Sequence, residues 1–82
     1  EVLTLQERIE EFLFLGLRKM EGISLKEYGD IFGKSIFDDY EKVIRKLEKE
    51  KLIKVENGRM FLMEKGIDVS NYVFVEFMSS RT

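Results

Sequence analysis

The sequence predicts a small, mainly helical α+β domain, and three observations carry that reading. Apolar residues recur at spacings of three and four in successive segments, each opened by a Ser or Thr suited to cap a helix. One stretch, Leu52 to Glu56, alternates apolar and polar and runs into Asn57-Gly58, a strong hairpin signal. The 82 residues are 44% hydrophobic, with seven Phe and three Tyr, enough to build one core and no more. A chain this short buries roughly 60% of its unfolded surface, so its stability is marginal.

Thr4-Leu5-Gln6-Glu7 has the capping-box pattern: the Thr hydroxyl accepts from the Glu7 amide, and the Glu7 side chain reaches back. Leu5, Ile9, Phe12, Leu13, Leu17 and Met20 then form one face of a first helix, and Gly22 suits the left-handed residue after it. Ser24-Leu25-Lys26-Glu27 repeats the box. A second helix is expected from Leu25 to about Phe32, burying Leu25, Tyr28, Ile31 and Phe32 and ending at Gly33. Ser35, with Asp38 at the box position, caps a third helix whose apolar face is Ile36, Phe37, Tyr40, Val43, Ile44 and Leu47. Leu52–Glu56 and Arg59–Leu62 are the two strands of the hairpin. Met63 to Met78 is mixed: Val73-Phe74-Val75 has strand propensity, but Asn71 and the acidic residues favour a helix or two short ones, and it is assigned as helical.

This order describes a winged-helix-like three-helix bundle with a two-stranded β-hairpin wing and a C-terminal helix. Such a domain first suggests DNA binding through the third helix. The charges argue otherwise. Lys42, Arg45, Lys46, Lys49 and Lys51 are matched by Asp38, Asp39, Glu41, Glu48 and Glu50, so the helix gives up the phosphate attraction that supplies much of duplex affinity. The wing adds only Lys54 and Arg59 against Glu56. A nucleic-acid partner is not expected.

A complete catalytic site is not expected either. The chain has no His, the commonest general base, and no Cys. Adjacent Glu10 and Glu11 point about 100° apart on a helix and cannot share a substrate. Asp38, Asp39 and Glu41 lack the loop spacing of a calcium site and fit better as acids complementing a helix start. Met20, Met60, Met63 and Met78 are soft donors with no His or Cys to complete a set, which favours packing. Catalytic, cofactor and metal residues are therefore assigned to none of these positions. No apolar run approaches the roughly 20 residues of a membrane span. The lack of disulfides favours a reducing, cytoplasmic setting. A start at Glu1 rather than Met fits a single domain, residues 1–82, excised from a larger protein.

Phe14 and Leu15 widen the apolar face of the first helix beyond one stripe. Two explanations stand side by side: the helix is central to its own bundle, or this face docks on a partner surface.

The run Leu5-Gln6-Glu7-Arg8-Ile9-Glu10-Glu11-Phe12-Leu13-Phe14-Leu15-Gly16-Leu17-Arg18, followed by Gly22-Ile23-Ser24, resembles the start of the C-terminal domain of the oxygen-independent coproporphyrinogen III oxidase family. The resemblance continues through Leu47 to Leu52-Ile53, with Lys51 where the family usually has Gly. It takes in Arg59 to Gly66, with Met63 in place of Thr, and closes on Asn71 to Met78. It implies a parent of the radical S-adenosylmethionine type: a partial barrel whose cysteines hold a [4Fe–4S] cluster, lying upstream of these residues. The domain would pack on that barrel and help cover its active site, near a tetrapyrrole. The Gly-Leu-Arg run is closer to the family's haem-chaperone branch, whose members bind haem and pass it on; oxidase and chaperone both stay open. The resemblance carries over little to single residues. Gly16 points to a close approach of the first helix to its neighbours. Arg18 is read as pairing with a buried carboxylate such as Glu76 or reaching a substrate propionate. Phe14, Leu15 and Arg18 are the candidate interdomain or substrate contacts.

Overall fold

A computed structural model describes residues 2–79. The elements in order are α1 (Leu5–Leu17), β1 (Ile23–Ser24), α2 (Leu25–Phe32), α3 (Ile36–Lys49), β2 (Ile53–Glu56), β3 (Arg59–Leu62), α4 (Glu64–Asp68) and α5 (Ser70–Ser79). The fold is α+β, mostly helical, and winged-helix-like.

The caps act largely as the sequence predicts. Thr4 and Glu7 close a full capping box, as do Ser35 and Asp38. The backbone N–H of Thr4 donates to Glu7, which holds that exposed carboxyl below its ordinary pKa. At Ser24 only half the box forms: the hydroxyl accepts from the Glu27 amide, while Ser24 itself ends β1 and pairs with Arg59. Gly33 ends α2 in the left-handed conformation.

The expected two-stranded wing is an antiparallel three-stranded sheet ordered β1-β3-β2. Ile23 faces Met60 and Ser24 faces Arg59, adding a short edge to the hairpin. Asn57 and Gly58 at the hairpin tip both have positive φ, 52° and 75°, as a type I′ turn requires. The expected C-terminal helix is two, α4 and α5, broken around Val69.

Tyr28, Ile36, Tyr40, Ile44 and Leu47 of α2 and α3 pack with Ile9, Leu13 and Leu17 of α1. Ile23, Ile53 and Met60 close the core from the sheet, and Val73 and Phe77 from α5. Among the expected core positions, Phe12, Leu25, Phe32 and Phe37 are only partly buried against it, and Leu5, Ile31 and Met20 are exposed. Leu5 is half in solvent at the first residue of α1, and Ile31 turns outward on α2. Met20 is 89% exposed because α1 ends at Leu17, before the expected period reaches it. Phe37 is only partly buried, at the edge of the core beside Arg45.

The end of α3 explains the position where the family usually has glycine. Lys51 has φ +63°; its N–H donates to the Glu48 carbonyl, and that of Leu52 to Leu47. This is a Schellman motif, completed by burial of both Leu47 and Leu52. A lysine there carries the left-handed penalty of about 1 kcal/mol that glycine avoids. Lys51→Gly should therefore stabilise the domain by about 1 kcal/mol in urea unfolding, with an unchanged m-value.

Candidate functional site

Helix α1 organises the surface, because its side chains leave in three directions. Ile9, Leu13 and Leu17 enter the core. Phe12 turns towards α2, its ring edge-on to Tyr28 and Phe32 at 5.8 and 5.7 Å. Phe14 turns the other way, towards α5, and meets the Phe74 ring at 4.6 Å. The apolar excess on α1 is thus divided between two flanks, and each flank borders a groove.

The first groove, about 350 Å³, lies between α1, α2 and the start of β1. Leu15 and Ile31 are 58% and 46% exposed there, beside half-buried Phe12 and Phe32. Its charged rim has three residues of each sign: Arg8, Lys19 and Arg59 with Glu11, Glu21 and Glu27. Arg59 is fixed by donating to the carbonyls of Glu21 (2.9 Å) and Gly22 (3.3 Å), which ties the wing to the turn after α1. Gly16 allows this flank to close: a β-carbon on it would collide with Ile23.

The second groove, about 410 Å³, runs between the end of α1 and the α4–α5 pair. Leu17, Leu62, Ile67 and Phe74 form its apolar lining, with Ser70 and Asn71 as neutral polar groups. Arg18, Lys19 and Met20 stand along one side, and no acidic residue lines it.

Of the three residues expected at a contact, Phe14 is half-buried against Phe74, Leu15 is exposed in the first groove, and Arg18 borders the second. Phe14 and Leu15 therefore do not share one face. Arg18 does not pair with Glu76. Its guanidinium lies over the Phe14 and Phe74 rings, 5.2 and 5.9 Å from their centroids. Glu76 instead accepts from Lys46 and holds that ammonium above its ordinary pKa, helped by Tyr72. Lys19 and Met20 are groove residues that local pattern does not single out: the spacing puts Met20 on the apolar stripe of α1, and nothing in the sequence marks Lys19.

Tyr28 is fully buried, and burial drives its phenol well above the ordinary tyrosine value, with Tyr40, Asp39 and Asp38 adding to the rise. Among the described residues no cluster of carboxylates could hold a metal ion, and no helix is long and apolar enough to cross a membrane. Two of the four cations of α3, Arg45 and Lys46, pair with acids. Arg45 contacts Glu48 at 3.1 Å and Glu41 at 3.9 Å, Lys46 meets Glu76, and Lys34 before the helix meets Asp39.

The model of the HemN C-terminal domain matches residues 3–69. The heme chaperone HemW of Bacillus subtilis (strain 168) is 35% identical over 75 residues, covering 92% of this chain and 20% of that protein. The heme chaperone HemW of Lactococcus lactis subsp. lactis (strain IL1403) is 35% identical over 78 residues, covering 95% and 21%. The chain thus spans about a fifth of the length of the curated relatives it matches. No solved structure matches it. The family match runs from the cap of α1 through α4 and includes every residue of the first groove, so the chain belongs to the HemN C-terminal domain family.

Proposed function

We propose that these 82 residues are the C-terminal, non-catalytic domain of a longer haem-handling protein of the chaperone branch. The observation that carries the branch is 35% identity across more than nine tenths of the chain to two proteins named heme chaperones. The resemblance implies a parent with a [4Fe–4S] cluster and S-adenosylmethionine. The residues of this chain do not fit such a cluster, since it has no cysteine; the thiolates would come from the remaining four fifths of the parent. A reducing, cytoplasmic setting is part of the same reading.

The role assigned to the domain is to seal against that larger part through the first groove. Leu15 and Ile31 leave apolar surface open at its centre, and a rim with equal numbers of both charges suits a protein surface. A DNA-binding role finds no support on α3, where acids accompany the cations.

The branch is tested on the full-length parent. It should bind added hemin, seen as a shifted and sharpened absorption band, and leave coproporphyrinogen III unchanged under reducing, anaerobic conditions with S-adenosylmethionine. Conversion of its propionates to vinyl groups would place the protein in the oxidase branch.

A further inference from the structure

We propose that the parent fills the first groove with a single amphipathic helix, whose apolar side chains drop between Leu15 and Ile31. This rests on the docking reading above and names the element that docks. The chain spans about a fifth of its curated relatives, and the helix belongs to the other four fifths. The groove, about 350 Å³, has room for roughly two ring-sized groups, since about 150 Å³ suffices for benzene. The partner therefore inserts a few side chains and keeps its backbone outside. That backbone faces the apolar surface of Leu15, Ile31, Phe12 and Phe32, so its N–H and C=O groups need partners of their own.

A helix satisfies those groups internally and presents side chains from one face at spacings of three and four. An irregular loop does not. A strand does so only by pairing with an open sheet edge. The sheet edge at this groove is β1, two residues long with Ile23 only 2% exposed, too short to template another strand. Helices α1 and α2 already flank the groove, so a third helix packs into it as ridges pack into grooves elsewhere in helical domains. Arg59, held by the carbonyls of Glu21 and Gly22, keeps the wing end of the groove in place. The rim supplies the remaining chemistry. With cations and acids in equal number, it matches a helix that carries both signs beside its apolar stripe, not a polyanion.

The test places a photoreactive side chain in the full-length parent, as Leu15→p-benzoylphenylalanine and, separately, Ile31→p-benzoylphenylalanine. Both positions are about half exposed, so the fold tolerates the change, and circular dichroism checks it. After irradiation and proteolysis, mass spectrometry should find both probes joined to one segment of the same chain. That segment should carry apolar residues three and four apart with charges of both signs between them. The control Lys42→p-benzoylphenylalanine, on the outer face of α3, should give no product within the chain. Cross-links to a segment of alternating or irregular pattern overturn the helix and leave the docking reading standing. The same segment reached from Lys42 overturns the groove as its seat. Cross-links only between two copies of the chain, or none from either groove position, overturn the docking reading as well.

Discussion

Gly22→Ala is expected to destabilise the domain by about 3 kcal/mol. Two costs combine at this position. The residue sits at φ +72°, where a β-carbon adds about 1–2 kcal/mol. That β-carbon would also meet the carbonyl of Met60 and the side chain of Phe61 on β3, and a backbone carbonyl in a ladder cannot turn aside. The sheet edge must open, loosening Ile23 against Met60 and the Arg59 bond to the Gly22 carbonyl. Gly33 is the control. Its φ is +73°, yet nothing lies within 4 Å of an added β-carbon. Gly33→Ala should therefore cost only about 1 kcal/mol. Urea unfolding of the 82-residue chain separates the two, and thermal unfolding should show the Gly22 variant melting roughly 15 °C lower. Equal losses at both sites would mean that backbone conformation, not the close approach to β3, sets the cost.

The second large effect separates Phe14 from Leu15. Phe14→Ala removes an edge-on ring pair with Phe74, the seat of the Arg18 guanidinium and part of the cover over α5. With Phe14 only half-buried, the loss should be about 2 kcal/mol, below the 3–5 kcal/mol of a fully buried Phe. Leu15→Asn removes a side chain that is mostly in solvent and should change stability by less than about 0.5 kcal/mol in the same chain. If Leu15→Asn proves as costly as Phe14→Ala, the first groove belongs to the core of the isolated domain and not to a contact surface.

These two residues show how far the sequence could be read. Phe14 and Leu15 stood out as apolar excess, but adjacent positions on a helix point about 100° apart. Which flank each joins depends on where α2 and α5 pack, and no local pattern records that. The helices themselves were legible because their starts are chemical: Thr4 with Glu7 and Ser35 with Asp38 form boxes whose partners lie three residues apart. The hairpin was legible from Asn57-Gly58. Strand β1 was not, since two residues are too few to show alternation, and Ile23-Ser24 is a strand only because β3 offers an edge. Met20 was misplaced because its spacing continues the stripe of α1 after the helix has ended at Leu17. The second groove could not be found locally at all: its walls, Leu17–Met20 and Ile67–Phe74, are brought together only by packing around the sheet. Lys51 is the reverse case. The family's glycine marked it as unusual, and the positive φ of a Schellman motif supplies the reason.

The most direct test of the docking role is amide hydrogen exchange on the full-length parent, compared with the 82-residue chain alone. Residues 12–16 and 28–32, which border the first groove, should exchange more slowly in the parent, while the outer face of α3 at residues 41–49 exchanges at the same rate in both. Unchanged exchange along the first groove, or slowing confined to α3, would contradict the account.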